Sequence, residues 1–258
     1  MKLYHYTDAN AVKSMLETGR LWLSDIRYMN DHSEYKEGES IISATFSKRA
    51  GALLPDEAKK ISDNLESTFN SSKSSYTFIC SLSRGEDLLS QWRGYCPKTG
   101  GYSLEFEIDA HKDFGAPLHD CVYDSKTKQE AADSLYELAQ KVILEKGNKS
   151  KLFQTTWANI AKFKNAGFVE ESEVRVIIFK RQDDAAIKFR TRESLIVPYI
   201  EIDLPFDKLK SVWVGPCPNP DLAKDSLSRL IDKLAMNKNH HFSKQKPTVK
   251  CSSITYRG

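Results

Sequence analysis

Three short segments of this sequence gather residue types that could do chemistry. Tyr4-His5-Tyr6-Thr7 has the aromatic and β-branched content of a strand, which would turn His5 and Thr7 to one face and Tyr4 and Tyr6 to the other. An imidazole beside a hydroxyl at a strand end can hold a ribose or a phosphate, or it can be a satisfied pair inside a core. Further on, Phe78-Ile79-Cys80-Ser81-Leu82-Ser83 puts Ser81 and Ser83 on one strand face. Gln91-Trp92-Arg93-Gly94-Tyr95 brings Trp92 and Tyr95 to one side of a helical turn. Two such aromatics can sandwich a flat heterocycle or pack into the interior. In the third segment, Glu170 to Ile178, Val174, Val176 and Ile178 form an apolar face and Glu171, Glu173 and Arg175 share the other. Carboxylates and a guanidinium on one face are costly unless solvated or paired. They suit either an acid–base site with divided roles or a solvated edge strand with a Glu–Arg pair.

Several familiar chemistries are missing. The sequence has no G-x-S-x-G elbow, Walker loop, G-x-G-x-x-G or H-E-x-x-H. His240-His241 reads as part of a polar loop. The spacing of His5, His32 and Glu34 is weak for a metal, and none is expected. The five cysteines are scattered and odd in number, which suits reduced thiols in a cytoplasm rather than a disulfide framework. The N-terminus lacks the apolar run of a signal peptide, and no window approaches a membrane span, so neither secretion nor membrane insertion is expected. With 40% hydrophobic and 28% charged residues, the 258-residue chain can bury a sizeable core. A net charge of +3 permits contact with nucleic acid without requiring it.

The elements that must position these residues alternate irregularly. Strands are expected at Lys2–Thr7, Arg20–Ser24, Tyr76–Leu82, Gly101–Ile108, Glu173–Lys180, Ile187–Arg190, Tyr199–Leu204, Ser211–Gly215 and Val249–Tyr256. Pro198 and Pro205 serve as punctuation. A first helix is capped by Asp8 or Asn10 and stopped by Gly19. One or two helices cover about Ser40 to Ser71 with a break near Gly51–Pro55. A short one lies within Arg84–Tyr95, and others span Gln129–Glu145, Lys151–Lys164 and Asp221–Met236. Asp25–Glu37 reads as a polar loop and Asn237–Pro247 as a mobile connector. This order predicts an α+β fold in a single domain over residues 1–258.

Taken together, the segments resemble the bacterial domain-of-unknown-function family 2971. The matching pieces are Leu3-Tyr4-His5-Tyr6-Thr7, Leu21-Trp22-Leu23-Ser24, Met29-Asn30-Asp31 with Glu34, Cys80-Ser81-Leu82-Ser83, Gln91-Trp92 with Tyr95, and Gly101. They continue through Lys164, Phe168, Glu171, Glu173 and Arg175 to Val197-Pro198-Tyr199 and Val214-Gly215-Pro216. More distantly, the opening strand–helix–strand looks like that of ADP-ribosyltransferase folds, especially DNA-targeting toxins and tRNA 2′-phosphotransferases. That resemblance implies a split β-sheet core with peripheral helices and NAD as a substrate. Its three strand-borne positions would fall on His5, on Ser83 or Tyr95, and on Glu173. Glu171-Ser172-Glu173 resembles a Glu-x-Glu pair, and Ser81-Leu82-Ser83 a Ser-Thr-Ser. The chain thus joins a His-type first motif to a Ser/Glu-x-Glu remainder, which leaves the middle residue open.

What the resemblance implies chemically is cleavage of NAD at the nicotinamide ribose through an oxocarbenium-like species, which a nearby carboxylate stabilises. Glu173 would hold the ribose, and His5 and Thr7 would fix ribose and amide. Trp92 or Tyr95 would cover the nicotinamide. Asn30, Ser81, Ser83 and Arg175 would complete the cofactor contacts, with Arg175 meeting either the carboxylates or the pyrophosphate. Glu171 would orient or deprotonate the acceptor. The expected protein is an NAD-dependent ADP-ribosyltransferase, a cytoplasmic toxin or antiviral-defence effector modifying nucleic acid or protein and accompanied by an antitoxin or regulatory partner. The alternatives are a non-catalytic nucleotide- or partner-binding domain of the same fold and an RNA phosphotransfer or hydrolytic enzyme.

Overall fold

A computed structural model describes the chain apart from residues 30–31, 71–73, 110–111, 146, 193 and 256–258 and the side chains of 32–34. The opening follows from local rules. Strand β1 (Lys2–Thr7) ends at Asp8, whose side chain accepts from the Ala11 amide and caps helix α1 (Ala9–Thr18). Gly19 takes a left-handed φ of 67° and closes the helix onto Met15. Strand β2 (Arg20–Asp25) follows, then a 3-10 turn at Ile26–Tyr28, helices α2 (His32–Ala50) and α3 (Pro55–Asn70), strand β3 (Ser75–Ser83) and helix α4 (Leu89–Tyr95). Next come β4 (Tyr102–Glu107), β5 (Leu118–Asp120), α5 (Ser125–Leu144), α6 (Lys149–Lys162), a 3-10 turn at Ala166–Glu171 and β6 (Glu173–Arg181). The chain continues through β7 (Lys188–Arg192), β8 (Leu195–Asp203), β9 (Leu209–Val214), α7 (Pro220–Met236) and β10 (Thr248–Cys251).

This is an α+β fold whose ten described strands form one sheet. Its organising strand is β3. Along one edge β3 pairs with β6 over its whole length, from Ser75↔Arg181 to Ser83↔Glu173. The other edge is shared. Toward its start β3 pairs with β2, through Ser24↔Ile79 and Asp25↔Phe78, and at its end with β1, through Tyr4↔Ser83. From there two arms diverge: β2–β8–β7 on one side and β1–β4–β9–β10 on the other. The sheet is therefore split between β1 and β2, the two strands that α1 connects.

Each face carries its own core. One gathers Val12, Met15 and Leu16 of α1 and Leu227 and Ile231 of α7 against Leu3, Leu82, Leu104, Phe106 and Val174. The other packs α2, α3, α5 and α6 over Ile79 and Ile177. A smaller cluster joins Tyr4, Tyr6 and Trp92.

Several expectations need correction. The loop read at Asp25–Glu37 gives way to helix from His32 onward. Tyr35, Ile42, Phe46 and Ala50 lie buried at helical spacing, but the polar residues between them obscured that period. Pro198 does not interrupt β8, because β2 pairs only as far as Tyr199 and leaves Pro198 bonded on the β7 side. Three-residue β5 carries too little pattern to have been read. The segment Asn237–Pro247 is anchored: Phe242 is 2% exposed in the first core, and His240 Nε2 lies 2.9 Å from the Leu16 carbonyl. Tyr256, the expected end of the last strand, lies outside the described residues, and β10 ends at Cys251.

Candidate functional site

Where β1 and β2 part, the backbone of β3 around Ser81 loses ladder partners on that edge, and a side chain takes over. His5 Nδ1 lies 3.0 Å from the Ser81 carbonyl. A carbonyl can only accept, so Nδ1 carries the proton and the lone pair resides on Nε2. Burial pushes the imidazole below its ordinary pKa against the opposing effect of that hydrogen bond, so the ring is neutral near pH 7. Cys80 Sγ lies 3.7 Å from the same Nδ1. Burial first, and then the charge of Glu173, push its thiol up to about 12, which makes it a poor nucleophile.

The split opens into a cleft of about 160 Å³. His5 and Thr7 of β1, Ala11 and Met15 of α1, and Trp22 and Ser24 of β2 line it. Ser81 of β3, Gln91 and Tyr95 of α4, Glu173 of β6, and Arg190 and Arg192 of β7 are among its other lining residues. This volume is below the ~300–1,000 Å³ of sites that engulf a drug-sized ligand. A ligand larger than about one flat ring would be only partly enclosed by it. Two buried polar atoms of the lining lack a hydrogen-bond partner: Ser81 Oγ and Arg190 Nε. Buried polar atoms are ordinarily paired, so these two mark where a ligand or water completes the site.

At the base of the cleft the two carboxylates meet two cations. Glu173 Oε1 accepts from Arg175 Nε at 2.6 Å, and its Oε2 accepts from Lys164 Nζ at 2.6 Å and Arg175 Nη2 at 3.0 Å. Lys164 Nζ also lies 2.9 Å from Glu171 Oε2, which accepts the Tyr95 hydroxyl at 3.2 Å. Arg175 is tied down further by the Ala161 carbonyl at 2.6 Å. Burial alone would raise the Glu173 pKa, yet Arg175 and then Lys164 hold it down to about 2. Glu173 is thus ionised throughout the physiological range. A solvated edge strand is not what forms: β6 lies between β3 and β5, and Glu173 is 3% exposed. Glu171 is not on the strand but in the preceding 3-10 turn; Ser172, at a left-handed φ of 41°, turns the chain so that both carboxylates reach Lys164.

Of the residues read from the sequence, the cleft brings together His5, Thr7, Ser81, Tyr95 and Glu173, with Glu171 reached through Tyr95 and Lys164. Trp92 is elsewhere. It packs edge-on against Tyr6 at 4.7 Å, and its Nε1 donates to Asp87 at 2.8 Å. Asp87, at φ 51°, is held in turn by Ser252 Oγ and by the amide and hydroxyl of Ser253. The helical turn that presents Tyr95 to the cleft therefore presents Gln91 beside it, not Trp92. Ser83 is also outside the lining, where its hydroxyl donates to the Glu171 carbonyl at 2.7 Å and accepts from the Gly85 amide. Of the two, Tyr95 lines the cleft and Ser83 does not. Arg175 is not among the cleft's lining residues, and its guanidinium meets the Glu173 carboxylate. Asn30 lies outside the described residues, as do the side chains of His32 and Glu34.

Sequence reasoning missed Trp22, Ser24, Gln91, Arg190 and Arg192 as cleft residues, and Lys164 as the bridge between carboxylates. A signal existed for the β7 pair: in Lys188-Phe189-Arg190-Thr191-Arg192 a period of two puts three cations on one strand face. No helix among the described residues is long and apolar enough to cross a membrane.

No curated protein and no solved structure matches the chain. Residues 91–176, which supply Tyr95, Lys164, Glu171 and Glu173, match the family model described as a protein of unknown function, DUF2971, bearing out the family resemblance read from the motifs.

Proposed function

We propose that the protein is an NAD-dependent ADP-ribosyltransferase, a toxin or defence effector acting on nucleic acid or protein. The observation that carries this reading is that His5 and Glu173, far apart in the sequence, line one cleft at the split of the sheet. In the proposed reaction the bond from the ribose anomeric carbon to the nicotinamide nitrogen breaks and nicotinamide leaves with the electron pair. An acceptor heteroatom then bonds to that carbon and loses its proton. Glu173, already ionised, sits where positive charge develops on the ribose; a fixed group of this kind contributes about 3 kcal/mol. The lone pair of His5 Nε2 accepts from a ribose hydroxyl. Trp22 or Tyr95, rather than Trp92, covers the nicotinamide ring. Lys164, a point charge on a flexible stem, is the partner that can swing away when ribose binds, whereas the guanidinium of Arg175 is held from two sides. Glu171, once released by Lys164, takes the acceptor proton.

One observation favours a second reading. Both Glu173 oxygens are engaged by cations, as suits a charge-balanced wall of a non-catalytic nucleotide-binding domain. Turnover of labelled NAD by wild type and Glu173→Gln, with DNA, RNA and cell protein as acceptors, separates the two. The transferase reading expects label in one acceptor pool and about a hundredfold loss in the variant. NAD bound but never consumed would transfer support to the binding domain.

A further inference from the structure

The least satisfied cation of the cleft is Arg190. Its neighbours on the same face of β7 are engaged: Lys188 Nζ meets Glu201 at 2.8 Å, and Arg192 Nη1 donates to the Tyr28 carbonyl at 3.2 Å. The Arg190 Nη2 donates to Ser24 Oγ at 2.8 Å, and the guanidinium lies 5.2 Å over the Trp22 ring. Its Nε is buried without a partner, and no described carboxylate lies within ion-pair distance. Burial, and then the charge of Arg192, disfavour the cation, against a smaller opposing effect of Asp8. A half-buried guanidinium with an open donor and no carboxylate in contact is ready to take an anion.

We infer that Arg190, Ser24 and the facing Ser81 form an anion subsite for a phosphate or diphosphate group of the cleft's ligand. The guanidinium offers Nε and Nη2 as a planar fork, the geometry that matches two oxygens of a phosphate. Ser24 Oγ accepts from Arg190, so its own proton is available to the same anion. The Ser81 hydroxyl, also buried without a partner, supplies a donor from the β3 wall. Trp22 backs the guanidinium, keeping its plane fixed. The charges at the base of the cleft are already matched, two carboxylates against Lys164 and Arg175, so the anion is drawn to the mouth. The subsite does not depend on NAD chemistry.

Calorimetric titration of the folded protein with inorganic pyrophosphate, ADP-ribose and adenosine tests this. Pyrophosphate and ADP-ribose are expected to bind wild type, more weakly as salt rises, with adenosine at least about tenfold weaker. Arg190→Gln is expected to lose at least about tenfold in affinity for both phosphate compounds, and Arg190→Lys to recover part of it. The surface control Arg229→Gln should bind as wild type does. Absence of binding by either phosphate compound, or equal affinity in wild type and Arg190→Gln, overturns the subsite. If Arg190→Gln does not fold, Ser24→Ala takes its place: weaker pyrophosphate binding supports the subsite and unchanged affinity overturns it. Arg190-dependent binding of pyrophosphate without NAD turnover would leave the subsite standing while the transferase reading fails.

Discussion

Lys164 Nζ and Glu173 Oε2 lie 2.6 Å apart with both side chains almost fully buried. A buried cation bridging two carboxylates is felt most when it is removed alone. Lys164→Met is expected to destabilise the fold by about 3 kcal/mol in urea unfolding, because the carboxylates are then left facing each other. Adding Glu171→Gln to it should restore part of the loss. Equal stability of Lys164→Met and wild type would show that the bridge does not form in solution.

Acid should expose the same network. The Glu173 carboxyl has a folded pKa of about 2 against an ordinary value of 4.5. Its ionised form therefore contributes stability that is complete above about pH 4.5 and is lost as pH falls toward 2, some ~3 kcal/mol in all. Comparing unfolding free energies of wild type and Glu173→Gln across that window should show a shallower acid slope in the variant. The pH profile of NAD cleavage, by contrast, should carry no limb from Glu173 between pH 5 and 8.

The split at Ser81 makes a spectroscopic prediction. The His5 ring should be the Nδ1–H tautomer at pH 7 and titrate below its ordinary value of 6.5. Since the folded pKa is the lower one, its contribution to stability is present above 6.5 and lost as pH falls toward the folded value. Nitrogen-15 shifts of the imidazole give both tautomer and midpoint. An Nε2–H tautomer would contradict the bond to the Ser81 carbonyl. His5→Ala should cost ~1–3 kcal/mol, the desolvation penalty of the carbonyl left behind.

Two tryptophans should behave oppositely. Trp92→Phe loses a hydrogen bond and edge-on packing and is expected to lower stability by ~1–2 kcal/mol while leaving ADP-ribose affinity unchanged. Trp22→Leu, at the cleft, should weaken ADP-ribose binding several-fold. Thermal unfolding and calorimetry on the pair decide it; the reverse pattern would put the ligand near Trp92.

Much of this architecture was readable because it is local. Asp8 and Gly19 announce both ends of α1, and alternation in β1 turns Tyr4 and Tyr6 toward Trp92, although Tyr6 also borders the cleft with His5 and Thr7. The sequence also marked Glu171, Glu173 and Arg175 as one charged group. What it could not carry was register between distant strands. Ser83 and Ser81 look equivalent in a period of two, yet the loop at Gly85 and the Glu171 carbonyl claim one hydroxyl and leave the other open. Trp92 and Tyr95 likewise look equivalent on a helical turn, and only the tyrosine pair of β1 decides which is drawn into the interior. Arg190 reaches the cleft because β8 lies between β7 and β2, a pairing no local pattern reveals.

The hold of Ser252 and Ser253 on Asp87 has a consequence of its own. Asp87 steadies Trp92, Trp92 lies on the same helix as Gln91 and Tyr95, and Tyr95 touches Glu171. Residues after β10 are thus a clasp fastened to the back of the cleft wall. Ending the chain at Cys251 would undo the clasp without touching any cleft residue, and the first sign would be a looser α4, with faster amide exchange at Gln91–Tyr95 than in the full chain. A purification tag placed there would pull on the same fastening, so a weakly active preparation tagged at that end would report on the handle rather than the chemistry.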